Sequence, residues 1–137
     1  MVELDPRLLA DTQALGETSL CWLRWMNDQR FPWLVLVPKR KDMREWYQLE
    51  QHEQHELLDL VNRCALHLQV LTGARKMNIG ALGNVVPQLH IHIIARQEGD
   101  PCWPGPVWGN GAAEAWPAGR QPDWIKPLRE RLSDRCA

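Results

Sequence analysis

The chain has 137 residues and a formal charge of −1 at pH 7, which suits one domain and leaves no global basic field for long nucleic acid. Its apolar runs are shorter than the roughly 20 residues of a membrane-spanning helix, and its acidic first residues lack the apolar stretch of a secretory signal. Four scattered cysteines without a CxxC pair indicate free thiols rather than a disulfide framework or a zinc ribbon. We therefore expect a cytoplasmic protein whose partners include neither a membrane nor a long nucleic acid.

Two helices are predicted in the first half of the chain. Asp5 is a suitable helix cap, Pro6 suits the first helical position, and Gly16 suits the end of an N-terminal helix. A longer helix is predicted over residues 51–71, because apolar residues recur there with the helical period. The residues of that apolar stripe are Leu57, Leu60, Val61, Cys64, Leu68 and Leu71. The stripe predicts that this helix covers one face of a sheet.

Five strands are predicted around these helices. Residues 17–26 and 33–37 should form a hairpin about the polar turn between them, and residues 45–49 a short strand. Residues 76–81 and 88–96 should form a second hairpin, whose connecting loop is rich in glycine and asparagine. A helix, a hairpin, a long helix and a second hairpin in that order predict an α+β fold with an antiparallel sheet.

The stretch from residue 88 to residue 96 is the most informative part of the chain. One parity is apolar, with Leu89, Ile91, Ile93 and Ala95. The other parity carries Gln88, His90, His92, Ile94 and Arg96. Burying two imidazoles on one strand face costs desolvation unless they have partners or a chemical role.

The last third of the chain combines an irregular segment with a helix. Residues 97–120 are rich in Pro, Gly and Trp and show no period, so we expect a loop pinned by its aromatic residues. Residues 122–135 have the pattern of a C-terminal helix. Residues 1–137 are therefore predicted to form one domain with its core in residues 17–96.

The paired imidazoles of His90 and His92 allow three interpretations. They could bind a metal ion, but the same strand face offers no third Asp, Glu or Cys ligand. They could be buried histidines satisfied by backbone groups. They could also act in catalysis, since one nitrogen of a neutral imidazole can attack while the other donates a hydrogen bond. His52 and His55 have a metal-compatible spacing, although a solvated helix face explains them as well.

The segment MNIGALGNVVPQLHIHIIAR, together with PWLVLVPKR, resembles the histidine triad (HIT) superfamily of nucleotide hydrolases and transferases. That family carries three histidines that alternate with apolar residues on a strand, after a loop that binds phosphate. The resemblance spans about residues 20–96 and implies a HIT-like fold with N- and C-terminal helices. The WPGPVWG segment looks like a bacterial branch described as diadenosine tetraphosphate hydrolase-like.

The resemblance assigns roles to particular positions. His90 matches the nucleophile, and His92 matches the residue that contacts the phosphate and assists the leaving group. Gln88 stands where the first triad histidine would be, so any proton-linked role of that position is lost. The positions that match the family's nucleotide and phosphate contacts are Asn78, Gly83, Asn84 and Val85, with Asn27 or Asp28 at the ribose and Phe31 at the base.

The resemblance implies hydrolysis of a nucleotide conjugate at the α-phosphate, through a nucleotidyl-histidine on His90. The candidate substrates are dinucleoside polyphosphates and nucleoside phosphoramidates. No metal is required by this route, although a divalent ion could accompany a polyphosphate. The family also implies a homodimer, in which the Trp-rich loop closes over its own or the partner's site. The alternatives are a nucleotide-binding module with weak or no turnover, a zinc hydrolase, and an enzyme that deadenylates nucleic-acid ends; the near-neutral charge argues against the last.

Overall fold

The computed structural model describes the backbone of residues 2–136 and the side chains of residues 2–133. Three helices are α1 (Pro6–Asp11), α2 (Gln51–Thr72) and α3 (Ile125–Cys136). The strands are β1 (Thr12–Glu17), β2 (Cys21–Met26), β3 (Trp33–Pro38), β4 (Lys76–Gly80) and β5 (Ile91–Arg96). They form one sheet in the order β1-β2-β3-β5-β4, and every neighbouring pair is antiparallel. The predicted α+β architecture, with a five-stranded antiparallel sheet, a long helix and two terminal helices, is confirmed.

The long helix begins and ends where its sequence indicates. Glu50 and Glu53 form a reciprocal capping box at its start, so two backbone N–H groups of the first turn are satisfied. Gly73 follows its last residue with φ 67°, a left-handed conformation that glycine adopts without steric cost. The predicted apolar stripe faces the sheet, with five of its residues buried and Leu71 partly buried.

The N-terminal helix is shorter than predicted. Asp5 caps it and Pro6 begins it, as expected, but the helix ends at Asp11 rather than at Gly16. Thr12 and the residues after it instead pair with β2, and Gly16 lies at an irregularity in that pairing. Pairing with β2 determines the conformation of this segment. As a strand, the segment forms its backbone hydrogen bonds with β2 and buries Leu15 in the core.

Two further predictions about strands were wrong. The segment expected as one strand over residues 17–26 is interrupted by a turn, in which the Thr18 hydroxyl accepts hydrogen bonds from the Leu20 and Cys21 N–H groups. Residues 45–49 contain the 3-10 helix Trp46–Gln48 instead of a strand, since Glu45 and Gln48 cap each other across it. The sheet nevertheless has five strands because β1 takes the place of the missing one.

Both faces of β5 are buried, in two separate clusters. Ile91 and Ile93 belong to the larger cluster, beneath α2 and α3. Ile94 belongs to the smaller cluster on the opposite face, with Phe31, Trp33 and residues of the loop 97–120. The predicted alternation of β5 is therefore confirmed. The strand itself begins at Ile91, so Gln88 and His90 lie in the segment that leads into it.

Candidate functional site

His90 lies immediately before β5 and is 6% exposed. Its Nδ1 is 2.7 Å from the backbone oxygen of Gln88. A carbonyl oxygen can only accept, so Nδ1 must carry a proton and donate it. The lone pair of the neutral ring is therefore on Nε2, which is the atom that an imidazole nucleophile needs free.

His92 has the opposite tautomer. The indole Nε1–H of Trp33 donates to His92 Nδ1 over 3.0 Å, and an indole N–H can only donate, so the proton of the neutral His92 ring is on Nε2. Burial, and to a lesser extent the neighbouring His90, lowers the pKa of His92 to about 3. The ring centroids of the two histidines are 4.8 Å apart in an edge-on arrangement. The pair thus combines a nitrogen that can attack with an N–H that can donate to a phosphate oxygen.

Two indole rings enclose His92. The centroid of the Trp33 ring lies 5.6 Å from that of His92, and the centroid of Trp108 lies 5.5 Å away. Gly80 on β4 makes this possible, because a Cβ there would be only 3.2 Å from Cη2 of Trp108. The sequence reasoning missed both tryptophans as site residues. Two signals could have indicated them: the high tryptophan content, and the position of Trp33 and Trp108 within the segments PWLVLVPKR and WPGPVWG.

The side chain of Gln88 is directed to the N-terminal segment. Its Oε1 accepts a hydrogen bond from the Asp5 N–H over 2.7 Å, and its Nε2 donates to the backbone oxygen of Glu3 over 3.0 Å. The amide at the first triad position therefore holds the residues that precede α1. Its backbone oxygen orients His90 at the same time.

A cavity of about 630 Å³ lies beside the histidines. Trp33 and Trp108, which contact His92, form part of its wall. Of the residues predicted to contact nucleotide, the cavity is lined by Asn27, Asp28, Asn84 and Val85. It is also lined by Asp11, whose carboxylate makes no hydrogen bond or ion pair with the side chains and backbone that the structure describes.

The predicted ribose residues take part in anchoring the loop 97–120. Asp28 is 1% exposed and pairs with Arg30 through both carboxylate oxygens, at 2.9–3.2 Å. Asp28 also accepts from the Glu114 N–H, and the Asn27 side chain accepts from the Trp116 N–H. Burial alone raises the pKa of Asp28, but hydrogen bonds from Arg30 and the backbone outweigh it, so the pKa is lower than usual. The loop thus closes over the site of its own chain.

Phe31 and Asn78 lie near a second buried charge pair. Phe31 is 3% exposed, and the guanidinium groups of Arg30 and Arg96 lie 5.1 Å and 5.5 Å from its ring centroid. Phe31 is not among the described residues that line the cavity. The amide oxygen of Asn78 accepts from Arg96, whose guanidinium also forms a two-point ion pair with Asp100 at 2.8 and 3.0 Å. Base contact by Phe31 and phosphate contact by Asn78 stay predictions.

The loop before the histidines includes one residue with a left-handed backbone conformation. Gly83 has φ 71°, in the left-handed region that glycine enters without cost. The next residues, Asn84 and Val85, are exposed at the edge of the cavity, and Val85 is 74% exposed. Phosphate binding by Gly83, Asn84 and Val85 stays a prediction of the sequence.

Among the described residues, no group of three or more His, Cys, Asp or Glu side chains is placed to hold a metal ion. None of the helices in the described part of the chain is long and apolar enough to cross a membrane.

Comparison with known proteins gives a consistent result. The HIT domain model matches residues 7–99. A histidine triad protein from Sinorhizobium meliloti is 48% identical, with a TM-score of 0.87 over 98% of this chain and 96% of its own. One from Bradyrhizobium japonicum is 40% identical, with a TM-score of 0.91 over 96% of this chain and 98% of its own. One from Marinobacter aquaeolei is 41% identical, with a TM-score of 0.87 over 98% of this chain and 95% of its own. No curated protein matched the sequence. The chain therefore belongs to the histidine triad (HIT) family, whose members bind nucleotides and often hydrolyse nucleotide conjugates.

Proposed function

We propose that this protein hydrolyses nucleotide conjugates at the α-phosphate through a covalent nucleotidyl-His90. The observation that carries the proposal is the hydrogen bond from His90 Nδ1 to the Gln88 backbone oxygen, because it leaves the lone pair on Nε2. In the first step Nε2 attacks the α-phosphorus and the bond to the leaving group breaks. In the second step water attacks the same phosphorus, which releases the nucleoside monophosphate and restores His90.

The surrounding residues have supporting roles in this proposal. The Nε2–H of His92 donates to a phosphoryl oxygen, and the backbone N–H groups of Gly83, Asn84 and Val85 stabilise charge on the others. The nucleoside occupies the cavity whose wall includes Trp33 and Trp108, where aromatic rings can stack on a base. No metal is needed for the covalent route, and a divalent ion enters only as the companion of a polyphosphate substrate.

The proposal is tested by incubating the protein with diadenosine tetraphosphate and with adenosine phosphoramidate, and by measuring AMP release. We expect AMP release by the unmodified protein from at least one of the two conjugates, loss of that release in His90→Ala, and a nucleotidyl adduct on His90 in acid-free quenched samples analysed by mass spectrometry. His52→Ala is the matched control, since His52 is exposed on α2 and should leave AMP release unchanged. AMP release that persists in His90→Ala would contradict the covalent mechanism.

The second candidate is a nucleotide-binding module with weak or no turnover. Gln88 favours it, because the amide at the first triad position is engaged by the N-terminal segment and cannot titrate. Tight AMP binding without turnover of either conjugate would support this module over the hydrolase.

We further propose that the protein belongs to the diadenosine tetraphosphate hydrolase-like branch and acts as a homodimer in the cytoplasm. β4 is the last strand of the sheet, and its outer edge has no strand partner within the described chain. Ile79 on that strand is 46% exposed, and Leu82 just after it is 41% exposed. An open edge with apolar side chains suits pairing with a second copy. Light scattering should report a dimer that Ile79→Lys weakens, and a monomer at all concentrations would contradict this part of the proposal.

A further inference from the structure

Conjugates of the two proposed classes differ in what their leaving groups need. A phosphate or polyphosphate departs as an anion when the P–O bond breaks, without receiving a proton. An amine must receive a proton as the P–N bond breaks, because its conjugate anion is far too basic to depart. Hydrolysis of a phosphoramidate therefore requires a general acid close to the leaving nitrogen.

Neither histidine is arranged to supply that proton. His90 has one proton, on Nδ1, and it is donated to the Gln88 backbone oxygen on the side of the ring away from the attacking Nε2. His92 has its proton on Nε2, and its Nδ1 is already occupied by the Trp33 N–H, so the ring cannot take up a second proton there. A neutral imidazole can donate a hydrogen bond, but to give up its only proton it would have to become an anion.

The environment of His92 strengthens this restriction. The ring is 6% exposed and lies between the indoles of Trp33 and Trp108. The positive charge that a second proton would bring is poorly solvated there. The low pKa of His92, caused first by burial and then by His90, agrees with the geometry.

The other polar groups that the structure describes near the site do not replace the missing acid. The amide of Gln88 is not titratable, and both of its polar atoms are engaged by the backbone of Glu3 and Asp5. The carboxylate of Asp28 is held by Arg30 in a buried ion pair. Asp11 has an exposed side chain at the cavity wall, and its carboxylate makes no described hydrogen bond with either histidine.

We propose that this site selects conjugates whose leaving group departs as an unprotonated phosphate anion, so its substrates are nucleotidyl phosphoanhydrides and not phosphoramidates. The inference rests on the proposed function and decides between its two substrate classes. His90 Nε2 forms the bond to the α-phosphorus, the P–O bond to the next phosphate breaks, and its electron pair leaves on that oxygen. The Nδ1 proton stays on the resulting imidazolium, where the Gln88 oxygen holds it. Water then displaces His90 from phosphorus and gives its proton to solvent.

The test compares three conjugates of AMP in the unmodified protein: diadenosine tetraphosphate, the p-nitrophenyl ester of AMP, and adenosine phosphoramidate. The ester is the control with a small leaving group, because nitrophenolate departs without receiving a proton. We expect kcat/KM for the phosphoramidate to be lower than for the ester by roughly 10²-fold or more, the usual contribution of a general acid. A phosphoramidate hydrolysed as fast as the ester or faster would overturn the inference and leave the proposed function intact. No turnover of any of the three would contradict the proposed function, and the inference with it.

A pair of variants tests whether a proton is what the site lacks. Gln88→His and Gln88→Met both remove the two hydrogen bonds to the N-terminal segment, but only histidine adds a titratable group. We expect the ratio of phosphoramidate to ester turnover to rise at least tenfold in Gln88→His and to stay unchanged in Gln88→Met. Because both rates are measured on one sample, a change in the folded fraction cancels in the ratio. The same ratio in both variants would overturn the inference.

Discussion

At the scale of single residues, the two histidines differ because different atoms hold their Nδ1 positions. A backbone oxygen holds His90, and an indole N–H holds His92. The sequence indicated both histidines as candidates for a chemical role, and the resemblance assigned His90 as the nucleophile and His92 as the residue that assists it. Their tautomers came only from their partners, since Trp33 lies 59 positions from His92 in the chain.

Trp33→Phe should remove the hydrogen bond on His92 and keep an aromatic ring in its place. We expect the free energy of unfolding to fall by about 1–2 kcal/mol, because a buried acceptor is left without its donor. The nitrogen chemical shifts of His92 should change from a pure Nε2–H tautomer to a mixture. An unchanged spectrum would show that the indole N–H does not select the tautomer.

Asp11 is the cavity carboxylate that remains available to a ligand, since Asp28 is held by Arg30. If Asp11 accepts hydrogen bonds from ribose hydroxyls, Asp11→Ala should weaken AMP binding by roughly tenfold, as expected for a hydrogen bond to a charged group. Binding of 2′,3′-dideoxy-AMP should not change. Calorimetry measures both, and Asp59→Ala, at an exposed position on α2, is the control. Equal losses for the two nucleotides would assign Asp11 a role other than diol recognition.

At the scale of elements, the loop 97–120 is held against the turn between β2 and β3. Arg30 donates to the Asn110 oxygen, while Asn27, Asp28 and Gln29 bind backbone groups of residues 114–116. The aromatic residues of this segment led us to expect a pinned loop. Their pattern could not show that charged and polar side chains of a distant turn would anchor it, because those contacts join residues that are 80 to 89 positions apart in the chain.

Gly111→Ala should loosen that anchor. A Cβ at Gly111 would lie 2.8 Å from Nη1 of Arg30, and φ is 71° there. Gly99→Ala is a matched control, because Gly99 has φ 88°, has no described atom within 4 Å of a new Cβ, and does not line the cavity. We expect both to lose about 1–2 kcal/mol to the left-handed backbone. Only Gly111→Ala should also weaken AMP binding, through the displaced Arg30. Urea unfolding and calorimetry check the two effects, and equal AMP affinities in the two variants would contradict the role of Arg30.

Among the elements, the type of β5 and of α2 could be predicted from the sequence, whereas that of β1 could not. β5 carries a strict alternation and α2 a long helical stripe, so local pattern and tertiary environment agree. Residues 12–17 carry no such pattern, and pairing with β2 decided their conformation. Capping between Glu45 and Gln48 likewise favours a 3-10 helix over the strand predicted for residues 45–49.

At the scale of the whole molecule, buried titratable groups connect stability to pH. The pKa of His92 is about 3 in the folded protein against an ordinary value of 6.5, so the unfolded chain binds more protons between these values. Its contribution to stability is fully present above pH 6.5 and is lost as the pH falls toward 3. The pKa of Asp100 is lowered to about 2, first by its hydrogen bonds with Arg96, so its contribution is lost only below the ordinary value of 3.8.

We therefore expect the free energy of unfolding to fall between pH 6.5 and pH 4 by up to about 1.4 kcal/mol per pH unit, before Asp100 titrates. Urea unfolding at a series of pH values measures the slope. His92→Gln should flatten it, while His52→Gln, at an exposed position, should not. A steep slope that persists in His92→Gln would place the responsible group elsewhere.

The α+β class, the long helix, the alternating histidine strand and the family could all be predicted from the amino-acid sequence. These follow from local periodicity and from a motif of adjacent residues, so no distant partner is needed to recognise them. Three features depend on the folded chain: the tautomers of His90 and His92, the tether from Gln88 to the N-terminal segment, and the anchoring of the loop 97–120. Each of these depends on hydrogen bonds whose partner is a backbone atom or lies far away in the chain, and side-chain patterns contain no information about such partners.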